Sequence, residues 1–381
     1  MIDRKVEPRL TQLEATTYWA SFVAEHYLRH MAFYRARSRV EARLLERGFP
    51  QQGAFPIPKV DPQTISPRQF QKDYIRGYAP VVIKGIGCNW PAVQKWTPDF
   101  FKSRYGDEPL WVRVKSGAMD KEGVYSRDVT MRELIDNVLS GGEFYANNLE
   151  DLFNNHTELR DDLPLRDLEA YSRGNPRAVT PSHRKGWRLP RWGEIFSTQI
   201  FISSAKGRTG YHCASGGNFF LQVYGRKRWT FVNPRHTPFM YPAVRKDFLF
   251  SVSGIDCRMS GEELIQAGFP LYNFIPKYEV VLEPGDVLYS PQWWWHTVDN
   301  LAESIGVAMR FRTATFASNP VFSGLTVLSP ALWQLMLRIL RTGWGADSTA
   351  ARRFFEREGT AIEDRASPSA RASLAKAGEK H

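Results

Sequence analysis

The stretch Thr209–Trp229, TGYHCASGGNFFLQVYGRKRW, decides how the rest of the chain is read. His212 follows a Gly-Arg-Thr-Gly turn and precedes a run, Asn218–Val232, dense in β-branched and aromatic residues and broken once, at Gly225. That pattern reads as strand, turn and strand. In a strand residues i and i+2 share a face, so position 214 lies on the same face as His212. Ala214 stands there, and its neighbours Cys213 and Ser215 supply no carboxylate.

Working outward, EFYANNL (143–149), STQIFISS (197–204), YEVVLEPGDVLYS (278–290) and SIGVAMRFRTATF (304–316) repeat the same chemistry between turn signals. Helices and strands do not alternate, which argues against a parallel sheet. Many short strands joined by turns predict a mostly β fold with flanking helices, a double-stranded β-helix or jelly roll. Pro284-Gly285-Asp286 reads as a tight turn, and the strand after it ends at Ser290-Pro291.

Residues 1–55 predict a helical extension: no Pro or Gly interrupts Arg9–Arg47, and Leu10, Leu13, Trp19, Phe22, Val23, Tyr27, Met31 and Tyr34 recur at helical spacing. The spacing fits one long helix or a pair packed on the main domain. Ser66-Pro67 marks a helix start, an N-cap residue followed by a first-turn proline. The jelly-roll domain is expected over 56–318, with a polar, Pro-rich insertion or lid at about 153–192. Helices are expected over 319–365, opened by Ser329-Pro330, and a disordered tail over 366–381, which lacks apolar mass.

Composition narrows the function classes. Aromatic residues make up 13% of the 381 residues, with 12 Trp, which suits a β-rich core. Three well-separated cysteines, Cys88, Cys213 and Cys257, build neither a disulfide framework nor a Cys-rich zinc site. The N-terminus lacks the apolar core of a secretory signal, and no apolar run reaches the ~20 residues that span a bilayer. The expectation is a cytoplasmic protein without a transmembrane segment. The net charge of +11 is spread along the chain. It gives no clear nucleic-acid signature, since a basic balance alone speaks to non-specific attraction.

The second candidate ligand is His296, after PGDVLYSPQWWW. Two histidines at strand ends converge in a rolled sheet. With one carboxylate they would make the facial triad of non-haem iron oxygenases. A single histidine beside tryptophans is ordinarily a hydrogen-bonded core residue, and two in matched surroundings raise the metal reading.

Over Ser66–Phe316 the chain resembles the cupin-like, JmjC-related oxygenases that use Fe(II) and 2-oxoglutarate. The resemblance rests on PVVIKGIGCNWPAVQKWT (80–97), NFFLQVYGRKRW (218–229) and EPGDVLYSPQWWWHTVDN (283–300). It implies His212 and His296 as iron ligands and Lys227 as the cation for the distal carboxylate of 2-oxoglutarate. It further implies Thr209, Asn218, Tyr145 and Arg310 as co-substrate contacts. Without that context Lys227, between Arg226 and Arg228, reads as a solvated basic turn.

The departure is Ala214, where the family carries Asp or Glu; Asp299 and Glu303 are the conceivable substitutes. Three functions follow. Iron halogenases have Gly or Ala at this position, and chloride restores both the ligand and the charge that the carboxylate supplied. A hydroxylase could run on two histidines and water. A catalytically silent binding module could keep the fold. The substrate class stays open between a small molecule, aromatic or lipid-like beside Trp293–Trp295, and a peptide or protein. The terminal helices are candidates for a homodimer interface.

Overall fold

The computed structural model describes residues 7–114, 125–175, 191–244, 248–313, 316, 318–330, 332–334 and 337. It opens with a helical pair, α1 (Gln12–Leu28) and α2 (Met31–Arg47). Thr11 and Glu14 cap α1 reciprocally: the Glu14 N–H donates to the Thr11 hydroxyl at 3.3 Å and the Thr11 N–H to the Glu14 carboxylate at 2.8 Å. Arg29, with φ 54°, turns the chain into α2. Short strands β1 (Ala54–Pro56) and β2 (Lys59–Val60) follow, then α3 (Pro67–Phe70), capped as expected by the Ser66 hydroxyl.

Next come β3 (Val81–Ile83), α4 (Pro91–Lys95), α5 (Pro98–Tyr105), β4 (Pro109–Val114), β5 (Tyr125–Thr130), α6 (Met131–Leu139), β6 (Phe144–Leu149), α7 (Asp151–Asn155) and α8 (Leu165–Arg173). The main run of strands is β7 (Ile195–Ser203), β8 (Arg208–Ala214), β9 (Gly217–Tyr224), β10 (Lys227–Val232) and β11 (Phe250–Val252). After α9 (Gly261–Gln266) it continues with β12 (Lys277–Leu282), β13 (Val287–Ser290), β14 (Trp295–Asn300) and β15 (Ser304–Phe311), and α10 (Pro320–Leu328) closes it.

Among the described residues these strands form two facing sheets, ordered β1-β12-β10-β14-β8-β11 and β2-β3-β13-β9-β15-β7-β6-β4-β5. The pairing is antiparallel except where β1 meets β12 and β2 meets β3. This is the jelly roll, with two parallel contacts that strand composition alone does not reveal.

The alternation of β9 explains the layering. Phe219, Leu221 and Val223 belong to the core under the helices of the nine-stranded sheet. Phe220 instead enters the space between the sheets with Trp229, Phe231, Leu288, Val298 and Ala308. The turn from β9 to β10 needs glycine: Gly225 has φ +69°, and a Cβ there would lie 1.9 Å from the Glu303 carbonyl oxygen.

Two expectations are corrected. Residues 153–175 are not a lid. Phe153, Leu159, Leu163, Leu165 and Leu168 are buried in the core of the nine-stranded sheet. Helical periodicity there is masked by charged residues between the leucines. The continuation 176–190 lies outside the described residues. Nor do Trp293–Trp295 line a substrate surface: all three are buried. Their indole N–H groups donate to the Ser323 hydroxyl, the Tyr78 carbonyl and the Thr237 hydroxyl at 2.9, 2.6 and 3.1 Å.

Trp293 and Trp295 join Phe22, Phe248 and Phe322 in the core between the six-stranded sheet and the terminal helices. Helix α10 lies at the start of the helical region expected over 319–365; its own start, Asn319-Pro320, carries the same cap-and-proline code as Ser66-Pro67. Helical residues do follow Ser329, at 330 and 332–334. The rest of the expected C-terminal helices beyond 337 and the tail lie outside the described residues.

Candidate functional site

Strands β8 and β14 are antiparallel neighbours, and their register places His212 directly opposite His296. The ring centroids are 4.2 Å apart. The Nδ1 of His212 lies 3.0 Å from the Gly210 carbonyl oxygen, and that of His296 lies 2.9 Å from the Trp294 carbonyl oxygen. A carbonyl only accepts, so each Nδ1 carries the proton and each Nε2 carries the lone pair, the tautomer a metal requires. Burial, reinforced by the neighbouring His212 ring and by the charge of Arg310, holds the His296 imidazole well below its usual pKa and keeps it neutral. Trp229 stacks on it at 5.4 Å and 27°.

Ala214 follows two residues after His212 on the same face. Its carbonyl accepts the Trp293 N–H at 2.8 Å, and its strand partner is Phe250. Trp293 sits at φ 61°, a conformation rare for a bulky residue, so this contact fixes the approach to β14. Among the described residues no group of three His, Cys, Asp or Glu side chains is placed to hold a metal.

Asp299 does not substitute. Three residues after His296 it falls on the opposite face of β14, where it lies 3.5 Å from the Arg208 Nε. Arg208 also grips Asp256 with two nitrogens, at 2.6 and 2.9 Å. Burial works against the Asp256 charge, but hydrogen bonds from Arg258 and Arg208 hold its carboxyl well below the usual range. Glu303 lies beyond the end of β14, at the β9–β10 turn.

Lys227 begins β10, in register with Leu282 and Asn300. It is 2% exposed. Its Nζ donates to the Asn300 side-chain oxygen at 2.5 Å, and the Asn300 amide nitrogen donates to the Ser204 carbonyl at 2.8 Å. Among the described residues no carboxylate pairs with it. Burial pushes its pKa down to about 7. The solvated-turn reading therefore fails: Arg226 and Arg228 project outward while Lys227 enters the roll.

Tyr145 and Thr209 come together, their hydroxyl oxygens 2.9 Å apart, and Thr297 donates to the Thr209 carbonyl at 2.8 Å. Asn218 lies opposite Ser290 and Arg310 on the neighbouring strands. Its side-chain oxygen is buried with no hydrogen-bond partner among the described residues. Arg310 donates Nε–H to the Gln199 side-chain oxygen at 3.1 Å.

Three residues of this constellation escaped the sequence reading. Asn300 and Gln199 were missed because amides carry no motif. Glu150 was missed because it follows β6 at the start of α7, where a carboxylate reads as an ordinary helix-terminal charge. Burial pushes the Glu150 carboxyl up, against the opposing pull of the nearby Ser197 and Gln199 side chains and the charge of Arg310.

These residues fit a two-histidine iron site. The donors are two adjacent imidazoles whose Nδ1 atoms are committed to carbonyls, and the buried ammonium and the unsatisfied amide oxygen are the polar groups a charged co-substrate would meet.

Comparison with known proteins identifies the domain. The model of the cupin-like domain matches residues 67–315. The tRNA wybutosine-synthesizing protein 5 of Gallus gallus is 27% identical over 276 residues, covering 68% of this chain and 77% of that protein. Lysine-specific demethylase 8 of Xenopus tropicalis is 25% identical over 267 residues, 66% of this chain and 54% of that protein. HSPB1-associated protein 1 of Rattus norvegicus is 34% identical over 103 residues, 27% of this chain and 21% of that protein.

Proposed function

Because the chain belongs to the cupin-like, JmjC-related family of 2-oxoglutarate oxygenase folds, we propose that it oxidises an unactivated C–H bond with Fe(II) and 2-oxoglutarate, the iron held by His212 and His296 alone. One observation carries this reading. Lys227 is a buried lysine without a carboxylate partner among the described residues, inside the same roll as the histidine pair. A buried ion costs several kcal/mol unless it is compensated. An anionic ligand supplies the compensation and explains why the cost is tolerated. A silent binding module has no such need.

When bound, iron and 2-oxoglutarate together supply an oxidant able to break a C–H bond, with O2 consumed and succinate and CO2 released. The chain's own residues bind and orient. Lys227, held by Asn300, pairs with the distal carboxylate. Tyr145 and Thr209 line the path between Lys227 and the histidines and offer hydroxyl donors. The Asn218 amide faces the same space. The Nδ1 hydrogen bonds fix the two imidazole rings before metal arrives.

Ala214 favours halogenation over hydroxylation. Without a carboxylate the iron site is one negative charge and one ligand short, and a halide restores both. The deciding experiment is anaerobic titration with Fe(II) and 2-oxoglutarate, with and without chloride, followed by visible absorption and then by product analysis in O2. The expected result is binding of both, a chloride-dependent spectral change and a chlorinated product. Binding with hydroxylated product and no chloride effect selects hydroxylation. Failure of 2-oxoglutarate to bind the iron-loaded protein overturns both.

The apolar residues left exposed on the terminal helices, among them Leu13, Leu28, Leu328 and Trp333, support the expected homodimer, which light scattering tests. No helix of the described residues is long and apolar enough to cross a membrane.

A further inference from the structure

Two cations enter the roll, from different sheets and toward different ends. Along β14 and β10 the pair Asn300–Lys227 lies four residues from the pair His296–Phe231. At ~3.3 Å per residue this is roughly 13 Å. Arg310 comes from the opposite sheet. Ala308, two residues before it, packs between the sheets with Trp229 and Val298, so Arg310 is on the inward face. Its strand partners are Asn218 and Ser197, and its charge is felt by His296. Arg310 therefore stands at the histidine end and Lys227 at the other.

The local wiring leaves one edge of the guanidinium unused. Gln199 takes the Nε–H on its side-chain oxygen. Its amide group also lies close enough to the Glu150 carboxyl to favour the charged form. Gln199 thus stands between Arg310 and Glu150, which influence each other's charge without forming an ion pair. Arg160 contributes a further positive charge near Glu150. The two terminal nitrogens of Arg310 have no hydrogen-bond partner among the described residues. A guanidinium with Nε occupied and both terminal nitrogens available presents the planar fork that matches a carboxylate. A monatomic halide makes no use of that shape.

We infer that Arg310, oriented by Gln199, is the anchor for a carboxylate on the substrate, and that the enzyme acts on a carboxylic acid of small-molecule size. This rests on the reading of the site as an Fe(II) and 2-oxoglutarate enzyme, and it moves Arg310 from the co-substrate to the substrate. Since Lys227 serves the distal carboxylate of 2-oxoglutarate, the fork at the histidine end is left for a second acid presented to the reacting centre.

The test is calorimetric titration of the full chain, anaerobic and loaded with Fe(II), with and without 2-oxoglutarate. The probes are the twenty L-amino acids, hexanoate, benzoate and phenylacetate, each against its primary amide. At least one acid is expected to bind about 10–100-fold tighter than its amide, the range of a charge-assisted pair. Arg310→Gln should erase that preference and leave 2-oxoglutarate affinity within about threefold. Arg310→Lys should keep the charge but lose most of the two-pronged preference, and it serves where the glutamine variant fails to fold.

The inference is overturned by three results: no acid preferred over its amide, a preference that survives Arg310→Gln, or a loss of 2-oxoglutarate affinity beyond about tenfold in that variant, which would return Arg310 to the co-substrate. Failure of 2-oxoglutarate to bind the wild type is a separate result and counts against the co-substrate reading. The acid-against-amide comparison without co-substrate still decides Arg310.

Discussion

His212 and His296 are cross-strand partners whose Nδ1 protons are both committed to carbonyls two residues behind them in the chain, at Gly210 and Trp294. The rings are set by the strands that carry them. Replacing either histidine with alanine should abolish Fe(II) binding in the presence of 2-oxoglutarate. His212→Gln should retain the fold by thermal melt while losing metal. Tight metal binding by either alanine variant would place the centre elsewhere.

Ala214→Asp adds the absent carboxylate on the face of His212. Metal affinity should rise by about tenfold or more, in line with the sensitivity of such sites to single groups, and any chloride dependence should vanish. A bromide-soaked crystal of the wild type should show an anomalous peak beside Ala214, and the variant should not. Unchanged chloride dependence in Ala214→Asp would falsify the halide reading.

Lys227 gives a pH signature. Its folded pKa is down at about 7, against an ordinary value of 10.5. Between these values the unfolded chain holds the extra proton, so the stability of the ligand-free protein rises with pH across that window. Below pH 7 both states are protonated and the burial cost is complete. Lys227→Met should therefore stabilise the ligand-free protein at pH 6–7, by about 1–4 kcal/mol as for other buried charges replaced by apolar groups. It should also flatten the pH slope and abolish 2-oxoglutarate binding. Wild-type affinity for 2-oxoglutarate should weaken above pH 7, by up to about tenfold per unit, because the ammonium must be formed on binding. Denaturant melts across pH 6–10 and titrations at the same values check both signs.

Asp299→Asn should leave metal affinity within about twofold, because Asp299 is directed to Arg208 on the outer face of β14, while lowering the melting temperature slightly through loss of an ion pair. A collapse of metal binding in this variant would show that Asp299 reaches inward after all.

Tyr145→Phe should weaken 2-oxoglutarate binding by roughly fivefold, the equivalent of one hydrogen bond of about 1 kcal/mol. Its partner Thr209 keeps a contact through its carbonyl with Thr297, so the fold should survive. An unchanged dissociation constant would assign the Tyr145 hydroxyl to packing alone.

The roll and the histidine pair were legible in the sequence because strand alternation is local and His212, Lys227 and His296 sit in dense apolar-aromatic runs. The residues that complete the constellation were not. Asn300 and Gln199 act by hydrogen bonding to side chains on the neighbouring strand, so their role depends on register rather than on neighbours in sequence. Register also decides against Asp299, by a single residue of strand phase. The tryptophan run misled for the opposite reason: three consecutive large aromatics look like a surface for ligands, but each indole N–H is consumed by a different element of the fold. Helices α7 and α8 looked like an insertion because their buried leucines are interspersed with Asp, Arg and Glu on the solvent side.

Asn300 separates an ammonium that is available from one that is already spent. Its side-chain oxygen accepts from Lys227 while its nitrogen donates to Ser204. An aspartate there would differ by a single atom, yet it would seat a permanent counter-ion inside the protein. The molecule would gain a resident imitation of the proposed co-substrate, lose the expected affinity for 2-oxoglutarate, and melt later for it. The amide keeps Lys227 tethered and unsatisfied, so part of the protein's stability stays conditional on what it binds.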